Sequence, residues 1–125
     1  MAIYNVDGLS FTGQAASESA ATAVTEGSGD VIPRGRLLGV RATLSDNTAG
    51  AADTVAIKVY KDSNLTVASG GEELYSADFV YSSDEETLSD MLATPVPFFE
   101  QPHVTITPGQ AGTDMVVTLY IDDGR

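Results

Sequence analysis

Glu73-Leu74-Tyr75-Ser76-Ala77-Asp78-Phe79-Val80-Tyr81 alternates along its length: Tyr75, Ala77, Phe79 and Tyr81 fall on one face and Asp78 on the other. A period of two marks a strand with one buried side, and here that side is aromatic. Upstream, Thr54-Val55-Ala56-Ile57-Lys58-Val59-Tyr60-Lys61 repeats the pattern, with Val55, Ile57 and Val59 inward and Lys58 and Tyr60 outward. In Arg36-Leu37-Leu38-Gly39-Val40-Arg41-Ala42-Thr43-Leu44 the inward set is Leu38, Val40, Ala42 and Leu44. Turn signals separate these runs at Asp46-Asn47-Thr48-Ala49-Gly50, at Asp62-Ser63-Asn64 and at Gly70-Gly71.

Downstream, Ser83-Asp84-Glu85-Glu86 has the form of a capping box and predicts one or two helical turns over Thr87–Leu92. Thr94-Pro95-Val96-Pro97-Phe98-Phe99-Glu100 cannot be a central strand, because two prolines remove ladder donors. It reads as an edge or crossing segment whose two phenylalanines anchor the core. His103–Thr107 and Met115–Ile121, separated by Pro108–Asp114, read as a hairpin with a long loop. Short strands at this spacing, with at most one short helix, predict an all-β fold: a single-domain antiparallel β-sandwich of immunoglobulin-like or jelly-roll type over residues 31–125.

Residues 8–30 are an island of Gly, Ala, Ser and Thr. Ordering about 20 such residues costs on the order of 20 to 40 kcal/mol of backbone entropy, so residues 1–30 read as an extended N-terminal arm, ordered only where pairing offsets that cost. A core strand at Ala20-Thr22-Val24 is the competing reading. Deleting the arm is expected to weaken assembly more than it unfolds the sandwich.

The chain's 125 residues suit one core. Six basic residues against eighteen acidic ones give a net charge of -12. Such a surface repels phosphate backbones and anionic lipid, so neither nucleic acid nor membrane is expected as a partner. Cysteine is absent, which removes disulfides, thiol nucleophiles and cysteine-ligated metals. The N-terminal residues lack a secretory pattern, and no stretch reaches the apolar length of a membrane span. The chain is expected to be made and kept in the cytoplasm, or to leave by cell lysis.

Catalytic chemistry finds little support. His103 is the one histidine, and it reads as a solvated side chain rather than a zinc ligand or a triad member. The carboxylates Glu72, Glu73, Asp84, Glu85, Glu86, Asp90, Asp122 and Asp123 sit beside turns or at a predicted helix start, where solvated acids are ordinary. Asp46, Asn47 and Asp53 share one loop region without an EF-hand spacing. No catalytic residue, metal or cofactor is expected. Tryptophan is absent, which weakens a sugar platform, although Tyr60, Tyr75, Tyr81 and Tyr120 offer aromatic faces.

Taken with Arg34-Gly35-Arg36-Leu37-Leu38-Gly39-Val40, Val59-Tyr60-Lys61-Asp62, Leu74–Phe79 and Pro95–Glu100, the chain resembles small structural proteins of tailed-phage virions, especially capsid decoration or cement proteins. That resemblance implies a sandwich on the capsid exterior, often a homotrimer, that binds the major capsid protein and locks neighbouring subunits together. Ile3, Tyr4 and Val6 of the arm, with Tyr60 and Tyr81, are the expected partner contacts, the arm adding a strand to a neighbour's sheet. A carbohydrate-recognising receptor-binding or adhesin module is the alternative, and an enzyme built on a carboxylate pair the third.

Overall fold

The computed structural model describes residues 3–25, 32, 34–46 and 52–122, with side chains from Leu9 onward. Eight strands follow in order: β1 (Ile3–Gln14), β2 (Ala20–Ala23), β3 (Gly35–Asp46), β4 (Asp53–Tyr60), β5 (Glu73–Tyr81), β6 (Glu86–Phe98), β7 (His103–Pro108) and β8 (Thr113–Asp122). A single 3-10 turn, Val67–Ser69, is the one helical element among the described residues.

The strands form two four-stranded sheets, ordered β1-β8-β3-β6 and β2-β7-β4-β5, with every pairing antiparallel. The order has a simple origin. The chain pairs first strand with last, second with seventh, third with sixth and fourth with fifth, as in one long hairpin. Wrapping that hairpin brings β8 beside β3 and β7 beside β4, which closes two sheets over one core. The fold is thus the jelly roll of the two sandwiches expected.

Three local readings change. β7 and β8 are not a hairpin, because they lie in different sheets; the connection between them crosses the sandwich. The capping-box segment forms a turn, not a helix: Glu86 accepts the Ser82 N–H at 2.8 Å, and the chain then enters β6. There Leu88 pairs with Ala42 and packs against the core, and that burial outweighs the local helical signal. In β3 the register shifts between Leu37 and Gly39, so Leu37 is the inward residue and Leu38 is half-buried.

β6, with Pro95 and Pro97, lies at the edge of its sheet, where missing donors cost least. Inward side chains of both sheets make one core, including Val40 and Leu44 of β3, Ile57 of β4, Phe79 of β5, Ile106 of β7 and Leu119 of β8. The N-terminal stretch is extended and built in. β1 pairs with β8 and places Leu9 and Phe11 in the core, β2 pairs with β7, and Val24 and Ile32 are buried. The expected boundary between residues 30 and 31 lies outside the described residues.

Candidate interaction surface

Antiparallel pairing sorts the connections to two ends of the sandwich. The pairs Tyr60 with His103, Ala23 with His103, Gly35 with Phe98, and Ile3 with Asp122 place one end of every strand at a common pole. The connections β2–β3, β4–β5 and β6–β7 emerge there. At this pole Phe99, the first residue after β6, is 78% exposed, and Val67 of the β4–β5 connection is also exposed.

Adjacent residues in an extended chain point to opposite sides. Phe98 turns inward and is buried, so Phe99 turns out, and only one of the two phenylalanines anchors the core. Two clefts flank it. One, of about 350 Å³, is lined by Arg34, Arg36, Pro97, Phe99 and Asp122; the other, of about 370 Å³, by Lys61, Glu72, Leu74, Phe99 and Glu100. Arg36 is ion-paired to the buried Asp122, and Lys61 lies 4.0 Å from Glu72.

Internal hydrogen bonds shape the β4–β5 connection at this pole. Asn64 N–H donates to Asp62 at 2.9 Å, and the Asn64 side-chain oxygen accepts from Thr66 N–H at 3.1 Å, an Asx pattern that the Asp62-Ser63-Asn64 signal anticipates. Gly70 takes φ of 100°, the left-handed region glycine favours. Asp62 is held below the ordinary carboxyl range, first by that Asn64 amide.

The five expected contact residues separate. Ile3, Tyr4 and Val6 lie in β1 opposite Asp122, Ile121 and Leu119 of β8, at the outer edge of a sheet. Tyr81 is fully buried, and its hydroxyl donates to the Ala42 carbonyl at 3.0 Å. Tyr60 is 7% exposed. Both rings are thus covered within the chain and present no face to a partner, a correction to the sequence reading. For Tyr81 the period-two pattern already carried that answer, since it shares the face of Tyr75 and Phe79.

The carboxylates are largely engaged one by one. Asp90 accepts the Tyr75 hydroxyl at 2.7 Å, and Glu73 accepts from Lys58 at 3.1 Å. Buried Asp53 accepts the Gly109 N–H at 3.0 Å and the Thr113 hydroxyl at 3.1 Å. Glu85 and Glu86 line a cleft of about 410 Å³ with Thr43 and Thr87, where Glu86 is the acceptor already bound by Ser82. His103 is half-buried, its Nδ1 lying 3.2 Å from the Gln101 carbonyl. Among the described residues no three of His, Cys, Asp and Glu gather as a metal set. Asn47 and Asp123 lie outside those residues.

The fold and pole together define an all-β jelly roll with an exposed aromatic side chain at one end. No protein-family model matches the chain, and no curated protein matches it. Solved structures do. A chain from the X-ray structure of tomato aspermy virus aligns over 97% of this chain and 76% of its own, with a TM-score of 0.51 at 8% identity. A chain from a study of Bacillus endospore appendages, described as disulfide-linked pili, aligns over 96% of this chain and 88% of its own at TM-score 0.45 and 19% identity. One from Desmodium yellow mottle tymovirus aligns over 97% and 87% at TM-score 0.40 and 11% identity. The first of these likenesses is one of fold.

Proposed function

We propose that this jelly roll is a non-enzymatic structural protein of a virus particle, one that binds the outer surface of the capsid and stabilises contacts between capsid subunits. The observation that carries the reading is Phe99, a large aromatic ring left almost bare at a pole where its neighbour Phe98 is buried and Val67 of the β4–β5 connection is also exposed. A side chain of this kind is the usual anchor of a protein contact, and burying it contributes about 1.5–3 kcal/mol. Repetition over a symmetric shell turns such weak contacts into avidity. A jelly roll is shared by viral capsid and lectin domains, so fold alone does not choose between them.

In this reading the partner is the major capsid protein and the protein sits on the virion exterior, as a homotrimer. Ile3, Tyr4 and Val6 contribute through β1, an edge strand onto which a neighbouring strand can add. The acidic chain stays clear of packaged nucleic acid. The glycan-binding alternative loses support from the burial of Tyr60, Tyr75 and Tyr81, which removes three of its four tyrosine faces.

Co-sedimentation of the purified protein with undecorated shells tests the reading. Saturable binding that is lost in Phe99→Ser supports it; no sedimentation with shells contradicts it.

A further inference from the structure

We infer that the free edge of β5 is a docking site for an extended partner segment in which basic and apolar residues alternate. One sheet ends on β5 and the other on β6, along the same flank of the sandwich. Among the described residues β5 pairs with β4 alone, with an unbroken register from Tyr75 to Tyr81. It contains no proline, so its outward donors and acceptors are intact.

The facing edge is differently made. β6 carries Pro95, Pro97 and a break in register, and its pairing with inward Val40 and Leu44 turns Asp90 and Glu86 toward the interior. Prolines, bulges and inward charges are the devices that close an edge to further pairing. On this flank β5 is therefore the open edge.

Between the two edges lies a groove of about 250 Å³, lined by Ala77, Asp78, Phe79, Val80, Leu88 and Asp90. A strand added to β5 sends alternate side chains to opposite faces. One set enters the groove beside Phe79 and Leu88. The other lies over the outer face beside Asp78 and Val80, the latter 66% exposed.

Charge selects the occupant. Lys58, on the outer face of β4, is engaged by Glu73; Asp78 adds negative charge on the outer face of β5, while Asp90 in the groove accepts the Tyr75 hydroxyl. A second copy brings the same net charge of -12 and its own Asp78 to the edge, and that like charge disfavours pairing. A basic segment meets opposite charge. Its apolar positions fill the groove.

The inference deepens the shell-binding reading by naming what the partner presents, yet it is tested separately. The uniformly 15N-labelled full chain is titrated with the capped peptide Lys-Val-Lys-Val-Lys-Val-Lys, with the same residues in blocks (four Lys, then three Val), and with a version in which the central Val is Pro. The alternating peptide is expected to give saturable amide shifts along β5 and at Leu88–Asp90. Binding should weaken at least about tenfold with the block or proline peptide, and likewise in Asp78→Lys, through loss of strand pairing or of a charge-assisted contact. Shifts scattered over the acidic surface, equal binding of the three peptides, or full affinity in a folded Asp78→Lys each overturn the inference. Failure here leaves the sedimentation result standing, and the reverse also holds.

Discussion

The Tyr75 hydroxyl of β5 donates to the Asp90 carboxylate of β6 at 2.7 Å, joining the two edge strands across the open flank of the sandwich. Burial, and then this bond, raise the Tyr75 phenol well above its ordinary value; burial does the same for Tyr81. In the unfolded chain both ionise near pH ~10. Their contribution to stability is therefore complete below about pH 10 and is lost as pH rises beyond it, at about 1.4 kcal/mol per pH unit for each tyrosine. Melting temperature followed from pH 8 to 12 should fall steeply in the upper part of that range. Tyr81→Phe should be less stable at pH 7 but show a shallower alkaline slope. An unchanged slope contradicts this assignment.

Asp53 ties the start of β4 to the β7–β8 connection through Gly109 N–H and the Thr113 hydroxyl. Asp53→Ala removes both bonds to the carboxylate, leaving the Gly109 N–H with the Thr54 carbonyl and the buried Thr113 hydroxyl with the Gln110 carbonyl. Bonds to a charged group are worth about 1.5–3 kcal/mol each, so a melting temperature lower by on the order of 10 °C is expected. Calorimetry that finds no change removes the tie from the account.

Deletion of residues 1–30 should abolish cooperative melting, contrary to what an independent arm implies. The deletion takes β1, β2 and the buried Leu9, Phe11 and Val24 with it. Three large apolar side chains at about 1.5–3 kcal/mol each amount to much of a typical stability of about 5–15 kcal/mol. Circular dichroism melts decide: a sharp transition in the truncated chain shows that β1 and β2 are dispensable.

Much of the sandwich was legible because alternation is a direct image of a one-sided strand. Val55, Ile57 and Val59 are inward, and Tyr75, Phe79 and Tyr81 face the core, as their spacing indicates. What escaped depends on partners distant in sequence. The inward turn of Leu37 arises from a register shift against β6 and β8, and the β7–β8 crossing from which sheet each strand joins. The Phe98-Phe99 pair was half legible. Two neighbours in an extended chain cannot both face the core, but which one turns out is set by the pairing of Phe98 with Gly35. The burial of Tyr60 comes where the register with β5 shifts after Val59, which alternation alone does not show.

Phe99→Ser should leave the melting temperature nearly unchanged, since substitutions at such exposed positions are usually within about 0.5 kcal/mol, while weakening shell binding by about tenfold or more. Parallel melts and sedimentation isotherms separate the two effects. A large loss of stability without loss of binding contradicts the role given to the pole.

The most direct test is quantitative mass spectrometry of purified virus particles from the source that encodes this chain, read as copies per major capsid subunit. The account predicts a copy number comparable to that of the capsid protein. Absence of the chain from the particles, or a handful of copies confined to one vertex, contradicts it.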